Sequence, residues 1–387
     1  MNHKEVNTII IGGGPAGSSC GIELLKGHND VCIIDKAIFP RKKLCGGLVT
    51  EKTIDALKEI VLEFDISKFV CNHSNFIEMF NGNEKIVETD TNTKLYFTER
   101  DKFDNELIQY YKKMGGNILE NTKIIKIDTK NRLVYTSGDK IIRYNYLIGA
   151  DGANSLTRKK LGMKLNSIGF SLEVDIPKNK LKDINNNTQI HFGILENGYG
   201  WVFPKGDYYT IGIGNKYSKS VDYKKILFLY LEILGICNFE EIVPQGAFIP
   251  FGDVVENPVG LENIFLVGDA AGLVDPINGE GIYFALSSGR EAAKAILSDN
   301  TNKTLEYLKR FKNLKKYVVE GNKLQKTFYK PFIQKIFYKL AKEHPNFVKF
   351  YCDNQISYYN YSYKKIALFP IYYYIDKFSK EGKDGYK

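Results

Sequence analysis

A glycine-rich segment between two apolar stretches constrains the fold of this chain more than any other feature. The segment Gly12–Gly17 follows the β-branched run Val6–Ile11. Helical spacing of apolar residues then continues from Pro15 to Lys26, and Val31–Ile34 is a second apolar run. The pattern predicts strand, tight turn, helix and strand, which together form a βαβ unit of a parallel sheet.

The spacing of the glycines indicates what the turn binds. Gly12 permits the tight turn, Gly14 lets a pyrophosphate approach the backbone, and Gly17 lets helix and strand pack closely. The start of the helix then offers free N–H groups to the phosphates. Asp35, at the end of the second strand, is placed to accept hydrogen bonds from ribose hydroxyls. A dinucleotide site is therefore predicted, and a glycine turn without a nucleotide is the alternative.

Two later segments repeat the theme of a strand that ends at a glycine and an aspartate. They are Tyr146–Ser155 and Asn263–Gly272. Ligands bind at the strand ends of open parallel sheets, so three such ends favour one shared dinucleotide. The glycine loop Asp275–Gly281 then precedes another helix, whose N-terminus would stabilise the negative charge of a reduced flavin. We therefore predict non-covalently bound FAD.

The order of the patterns predicts a mixed α/β (α+β) fold. Residues 71–98 and 168–250 alternate apolar and polar side chains, which is typical of antiparallel strands. We predict a Rossmann-like FAD-binding domain interleaved with an antiparallel-sheet substrate domain and followed by a C-terminal helical region. The predicted boundaries are 1–70, 99–165 and 251–300 for the FAD-binding domain, 71–98 and 166–250 for the substrate domain, and 301–387 for the helical region.

Three further motifs narrow the interpretation. Arg41–Gly47 is similar to an R-x-K-x-C-G-G loop, and Tyr199–Lys205 with Gly212 is similar to a Y-x-W-x-F-P-K…G motif. Arg100, with Phe103 and Asp104, is similar to an R-x-x-F-D helix start. With the glycine segments, these motifs resemble the geranylgeranyl reductase family of the aromatic-hydroxylase-type flavoproteins over roughly residues 5–300. The resemblance implies reduction of isoprenoid carbon–carbon double bonds by reduced FAD.

The resemblance also implies roles for individual residues. Cys45 would deliver a proton or shape the pocket. The alternative is that Cys45 is simply a small buried residue. Tyr199 and Trp201 share one parity on a strand and would line an apolar slot beside the flavin ring, with core packing as the alternative. Arg100 would reach the FAD phosphate or ribitol, with a surface salt bridge as the alternative. The predicted cofactor contacts are Gly12, Gly14, Pro15, Ala16, Gly17, Asp35, Lys36, Arg41, Cys45, Gly46, Gly47, Arg100, Asp151, Gly152, Gly268, Asp269, Gly279, Gly281 and Ile282.

Two other functions fit the same scaffold. The first is an FAD-dependent monooxygenase or halogenase of a small aromatic substrate. Trp201 is the single tryptophan of the chain, so the W-x-W-x-I-P segment expected of a halogenase is absent, and the hydroxylase stays open. The second is a non-catalytic flavin- or lipid-binding protein. NAD(P)H and a ferredoxin-like protein are equally compatible as electron donors.

The last quarter of the chain carries the basic excess. Residues 301–387 hold 19 Lys and Arg against 7 Asp and Glu, whereas the whole chain has a net charge of +9. The same stretch is rich in tyrosine, and tyrosine with lysine suits the headgroup zone of a bilayer. We therefore hypothesise that this region caps the substrate tunnel and contacts an anionic membrane. Nucleic-acid binding has no support from the fold.

Cysteine and histidine usage bears on metal binding and compartment. The six cysteines and five histidines show no metal-binding spacing, so no metal is predicted. Cysteines without paired spacing fit a reducing cytoplasm. With no leader pattern and no spanning apolar run in this sequence, a cytoplasmic protein is expected, with peripheral contact to the inner face of the membrane as the hypothesis. A monomer and a homodimer are both compatible.

Overall fold

The computed structural model describes residues 4–181, 184–239, 241–261 and 263–357. Its strands are β1 (Lys4–Ile11), β2 (Val31–Ile34), β3 (Leu48–Thr50), β4 (Val70–Asn81), β5 (Glu84–Thr98), β6 (Asn117–Leu119), β7 (Ile124–Asp128), β8 (Leu133–Thr136), β9 (Ile141–Gly149), β10 (Gly169–Pro177), β11 (Thr188–Phe192), β12 (Gly198–Lys205), β13 (Tyr208–Lys216), β14 (Gln245–Ile249), β15 (Val259–Gly260) and β16 (Ile264–Leu266). Its helices are α1 (Pro15–Lys26), α2 (Glu51–Ile60), α3 (Arg100–Lys113), α4 (Leu156–Lys160), α5 (Tyr223–Ile233), α6 (Ile282–Leu297), α7 (Lys303–Phe328), α8 (Pro331–Glu343) and α9 (Pro345–Ser357).

The first sheet contains the three strands that precede the glycine segments. Its order is β15-β16-β9-β1-β2-β6, with β8 and β7 attached beside β9. The pairs from β16 to β6 are parallel, and Ile9 of β1 lies between Cys32 of β2 and Leu147 of β9. Because β1, β9 and β16 are neighbours, their carboxyl ends meet at one edge of the sheet. The predicted convergence of the three glycine segments is thus a property of the fold.

Helices α1 and α6 cover one face of this sheet at close range. A Cβ added at Gly289 of α6 would overlap the main-chain oxygen of Ala16 in α1. The Ser19 hydroxyl donates a hydrogen bond of 2.6 Å to the carbonyl of Leu286. Small residues at the crossing therefore bring the two helix starts toward the same edge of the sheet.

The second sheet has the order β14-β10-β13-β12-β11-β4-β5-β3. All its pairs are antiparallel except β11 with β4, where Ile190 lies opposite Met79. The predicted mixed α/β fold with a Rossmann-like part and a largely antiparallel sheet is confirmed. The short strand β3 joins this second sheet, although sequence analysis assigned residues 1–70 to the FAD-binding domain. The division into domains stays a prediction.

The C-terminal helices close the molecule over both sheets. The Tyr307 hydroxyl of α7 donates to the carbonyl of Leu266 at 2.6 Å. The Asp353 carboxylate of α9 accepts two hydrogen bonds of 2.7 Å from the amide and side chain of Asn92. None of the helices in the described ranges is both long and apolar enough to span a bilayer. The tyrosine- and lysine-rich segment after Ser357, namely Tyr358, Tyr359, Tyr361, Tyr363, Lys364, Lys365, Tyr372, Tyr373, Tyr374 and Lys377, lies outside the described residues.

Candidate active site

One continuous cavity of about 1480 Å³ lies between the two sheets and the C-terminal helices. It begins at the glycine turn after β1 and runs past the Cys45 loop to the apolar sides of α8 and α9. Every residue that sequence analysis assigned to cofactor or catalysis lines this cavity, except Gly17 and Gly268. Ligand pockets commonly measure roughly 300–1,000 Å³, so the cavity can hold a large cofactor and a second molecule.

The glycine turn has the geometry that a dinucleotide requires. Gly12 has φ +104°, and a Cβ there would overlap the carbonyl oxygen of Ala150 at the end of β9. A Cβ at Gly17 would overlap the carbonyl of Gly12, so this residue serves packing and not the cavity wall. The Asp35 carboxylate accepts hydrogen bonds from the amides of Gly13 (2.7 Å) and Ala37 (2.8 Å). Asp35 therefore also holds the turn in shape.

Two helix N-termini open onto the same cavity. Helix α1 starts after Gly14 and helix α6 after Gly281, and within the described ranges neither start has a capping side chain. Uncapped N–H groups and the positive helix end favour an anion. One start lies at the glycine turn and the other near Tyr199, whose hydroxyl binds the loop before α6, and both starts are on the cavity wall. This pair of positive ends fits a molecule with a pyrophosphate at one point and a ring that becomes anionic at another.

The second and third glycine segments are fastened to each other by an arginine. Arg158 donates to the carbonyls of Ala270 (3.0 Å) and Ala153 (2.5 Å). Burial lowers the pKa of Arg158. The Asp151 carboxylate accepts from the Ser155 hydroxyl at 2.6 Å and the Thr157 amide at 2.9 Å. Asp151 thus organises the start of α4 while it lines the cavity.

The third segment turns sharply before it reaches α6. Gly268 has φ +54°, and its amide donates to the Ser288 hydroxyl at 2.8 Å. This glycine lies between the sheet and the two crossing helices, away from the cavity wall. Its neighbour Asp269 does line the cavity, and so do Gly152, Gly279 and Ile282.

Three charged residues from two motifs form one cluster. The fully buried Asp104 carboxylate accepts two hydrogen bonds of 2.9 Å from Arg100 and lies 3.2 Å from an Arg41 nitrogen. The Arg41 guanidinium passes beside Gly14 of the turn. Burial acts to lower the pKa of Arg100, but the Asp104 carboxylate and the Cys45 sulfur outweigh it, and the pKa of Arg100 is raised. Asp104 therefore orients two cations toward the cavity.

The loop around Cys45 lies against the second sheet. The Gly47 amide donates to the Cys45 sulfur at 3.4 Å. Sequence analysis missed Glu173, whose carboxylate accepts a 3.0 Å hydrogen bond from the Cys45 amide. It also gave no role to Lys205, which lies 3.5 Å from the Cys45 carbonyl. A glutamate in the alternating strand β10 resembles a solvent-facing residue until the loop that covers it is known.

Aromatic side chains of β12 form one wall of the cavity. The rings of Tyr199 and Trp201 are 6.0 Å apart, and those of Trp201 and Phe203 are 6.1 Å apart and stacked. A Cβ on Gly212 would overlap the Trp201 ring, which explains why a glycine stands in this motif. The Tyr199 hydroxyl donates to the carbonyl of Asn278 at 2.7 Å. Tyr199 and Trp201 thus share a face, and both line the cavity.

The loop before α6 carries a buried ion pair. The Glu280 carboxylate lies 2.5 Å from the Lys52 ammonium and accepts from the hydroxyls of Thr50 (2.6 Å) and Thr53 (3.0 Å). The Lys52 ammonium also stacks over the Tyr283 ring at 5.1 Å. Because Lys52 balances Glu280, the carboxylate does not cancel the positive end of α6.

Beyond Trp201 the cavity becomes an apolar arm. One side is the second sheet and the other is the C-terminal helices. The lining residues of the arm are Ile77, Met79, Leu95, Ile190, Phe192, Leu324, Phe328, Ile333, Ile336, Phe337, Leu340, Phe347 and Tyr351. Ile336 is 41 % exposed, so the arm reaches the surface at α8. Across the described ranges, His, Cys, Asp and Glu side chains form no group of three that could hold a metal ion.

The fold and the converging glycine segments define an FAD-dependent oxidoreductase of the aromatic-hydroxylase type. The chain belongs to the family described as FAD binding domain, whose model matches residues 5–303. An uncharacterized protein of Methanosarcina barkeri is 33% identical over 301 residues, which are 77% of this chain and 76% of that protein. The chloroplastic geranylgeranyl diphosphate reductase of Nicotiana tabacum is 28% identical over 399 residues, with 95% of this chain and 83% of the relative covered.

A solved structure supports the same fold. A geranylgeranyl bacteriochlorophyll reductase-like protein from Thermoplasma acidophilum matches with a TM-score of 0.76 and 21% identity, over 89% of this chain and 93% of that chain. The resemblance to geranylgeranyl reductases that the motifs indicated is confirmed.

Proposed function

We propose that this FAD-dependent oxidoreductase reduces carbon–carbon double bonds of an isoprenoid chain. The observation that carries the proposal is the continuity of the cavity from the glycine turn, past the two helix starts, into the apolar arm. A branched hydrocarbon chain needs such an arm, whereas a small aromatic substrate does not. Similarity to a geranylgeranyl diphosphate reductase supports the same substrate class.

The residues that sequence analysis assigned to the cofactor have a consistent arrangement for this role. The turn Gly12–Gly17 and the start of α1 would hold the pyrophosphate, and Asp35 would bind the ribose. The start of α6, after Gly281, would face the ring system and stabilise negative charge on it. Bound FAD supplies the hydride that an isolated alkene needs. The contacts of individual residues with the cofactor remain part of the proposal.

The second task of the site is to hold an unactivated double bond. Such a bond has no carbonyl group to polarise, so the rate depends on positioning in a dry pocket. Tyr199 and Trp201 would form the wall that orients the bond, and the C-terminal helices would exclude water. Cys45, in the loop that packs against this wall, would either give a proton to the second alkene carbon or shape the pocket.

An anaerobic experiment tests the proposal. The flavin of the purified enzyme is photoreduced and mixed with a geranylgeranyl compound, and its absorbance is followed. Reoxidation by the alkene without oxygen is expected, together with a product whose mass is higher by two hydrogen atoms for each flavin reoxidised. Reoxidation only when oxygen and an aromatic compound are supplied would instead identify a hydroxylase. The same assay with NAD(P)H or a reduced ferredoxin in place of light identifies the electron donor.

A further inference from the structure

Both polar main-chain groups of Cys45 are held by buried charged side chains of the second sheet. Its amide donates to the Glu173 carboxylate at 3.0 Å, and its carbonyl lies 3.5 Å from the Lys205 ammonium. Glu173 is 7 % exposed and Lys205 is 5 % exposed. A charged side chain is almost never buried to this extent without a specific partner. Here two charged groups of opposite sign have the same loop residue as a partner.

The sheet brings these side chains together at a glycine. Glu173 of β10 and Trp201 of β12 both lie opposite Gly212 of β13. A Cβ added to Gly212 would lie 2.9 Å from the Glu173 Cβ and would overlap the Trp201 ring. The missing side chain thus lets Glu173 and Trp201 approach each other on one face. The loop packs on that face, because a Cβ on Gly46 would lie 2.9 Å from the Phe203 ring.

The charges around Glu173 come from three elements. Burial raises its pKa to about 7, Asp175 of the same strand also raises it, and Lys205, the Cys45 amide and Lys43 lower it. The carboxyl group is therefore present in both protonation states near neutral pH. Hydrogen bonds to an ionised acceptor are stronger than those to a neutral one. The strength of the hydrogen bond from the Cys45 amide to Glu173 therefore depends on pH.

We propose that Glu173 and Lys205 are positioning residues that clamp the Cys45 peptide and thereby fix the Cys45 thiol at the cavity wall. The clamp is formed by the protein alone, before any substrate enters. One part of this proposal rests on the proposed function, namely the claim that the fixed thiol serves the reduction of a double bond. The position of the loop itself is testable without substrate.

Hydrogen exchange of the FAD-loaded enzyme tests the clamp directly. In Glu173→Ala the Cys45 amide loses its acceptor, and we expect its exchange to accelerate about tenfold or more, as for loss of a hydrogen bond to a charged group. Glu173→Gln keeps an oxygen acceptor, so its exchange rate at pH 8 should lie between those of the wild type and the Ala variant. Glu78→Ala is the matched control, because Glu78 is a buried carboxylate of the same sheet that binds Lys85 and Gln189.

A second readout separates positioning from simple stability. The rate of alkylation of Cys45 by iodoacetamide is followed by mass spectrometry from pH 6 to 8, because burial raises the pKa of Glu173 to about 7. The wild type should show an inflection there that Glu173→Gln lacks and Glu78→Gln retains. Lys205→Met should weaken protection of the loop and move the inflection to higher pH, because the Lys205 ammonium lowers the pKa of Glu173.

The two hypotheses fail in different ways. If no isoprenoid is reduced but exchange and alkylation change as described, the proposed function is wrong and the clamp stands. If Glu173→Ala exchanges at the wild-type rate, or Glu78→Ala accelerates the Cys45 amide equally, the clamp is wrong. Should Glu173→Ala fail to fold, an unchanged inflection in Glu173→Gln would be enough to overturn it.

Discussion

The hydroxyl of Tyr199 donates a 2.7 Å hydrogen bond to the main-chain carbonyl of Asn278. Tyr199 belongs to β12 of the second sheet, whereas Asn278 lies in the loop that leads into α6. The bond therefore joins the aromatic wall of the cavity to the loop that precedes the start of α6. It is a direct hydrogen bond between the element proposed to contact the substrate and the loop before the helix proposed to face the cofactor.

Removal of this hydroxyl should weaken flavin binding. Tyr199→Phe loses one hydrogen bond, which is worth about 1 kcal/mol, so the flavin dissociation constant should rise about fivefold. Fluorescence titration of the apoprotein measures the constant. Tyr209→Phe is the control, because Tyr209 donates to the Ile184 carbonyl at 2.8 Å and does not line the cavity. An equal loss of flavin affinity in both variants would contradict the prediction.

The glycine turn should tolerate no side chain at Gly12. A Cβ there would overlap the Ala150 carbonyl, and φ is +104°. Gly12→Ala is therefore expected to yield protein that binds flavin at least about a hundredfold more weakly, since backbone strain and overlap together cost about 3 kcal/mol. Absorbance of the purified protein at the flavin band is the measurement. Gly138→Ala has open space around its Cβ and should be as yellow as the wild type.

Asp104 should matter for stability as well as for flavin binding. Asp104→Asn would leave Arg41 and Arg100 without their shared carboxylate, and loss of one partner of a buried ion pair costs about 3–5 kcal/mol. Urea denaturation of the apoprotein should show this loss. Asp101→Asn, on the same helix but only half-buried and outside this cluster, should remain within about 0.5 kcal/mol of the wild type. A wild-type midpoint for Asp104→Asn would show that the cluster does not stabilise the fold.

The stability of the fold should fall as pH rises toward neutrality because of Glu173. Its pKa is raised from an ordinary 4.5 to about 7 by burial. Between these values the folded protein binds more protons than the unfolded chain, so the contribution is full below pH 4.5 and is lost as pH rises through 7. A shift of this size corresponds to about 3 kcal/mol.

Glu173→Gln should flatten this part of the pH–stability curve. Glu78→Gln should not, because hydrogen bonds from Lys85, Asn185 and Gln189 outweigh burial and lower the pKa of Glu78. The contribution of Glu78 has the opposite sign and disappears at acid pH. Denaturant midpoints measured across the range compare the three proteins. If the curve for Glu173→Gln keeps the wild-type slope, Glu173 is not the cause of this pH dependence of stability.

The apolar arm should set the length of chain that the enzyme accepts. Ile190 is half-buried and lines the arm between Met79 and Phe192. Ile190→Trp is expected to abolish flavin reoxidation by geranylgeranyl compounds and to retain reoxidation by shorter geranyl compounds, because the added ring fills the arm. Ile125→Trp, on the exposed side of β7, should leave both activities unchanged. An equal loss of flavin reoxidation with both compounds would mean that the arm does not determine which chain length is accepted.

The sequence by itself determined the elements that local pattern specifies. The strand, turn and helix of residues 6–26 follow from β-branched residues, glycines and helical spacing. The three strand ends carry glycine and aspartate, and a backbone that binds phosphate needs both space and free donors. The antiparallel strands of residues 71–98 were likewise visible from alternation. Helices α2 and α5 were missed, since their apolar residues resemble any buried segment when the packing partner is unknown.

Only the tertiary structure decided which distant residues act together. The pairing of Glu173 with the Cys45 amide spans 128 positions, and that of Tyr199 with Asn278 spans 79. No local pattern encodes such contacts, because they depend on how the second sheet lies against the loop and against α6. The apolar arm has the same origin: its walls come from strands and C-terminal helices that meet only when the chain is folded, and burial is a property of that packing and not of any single segment.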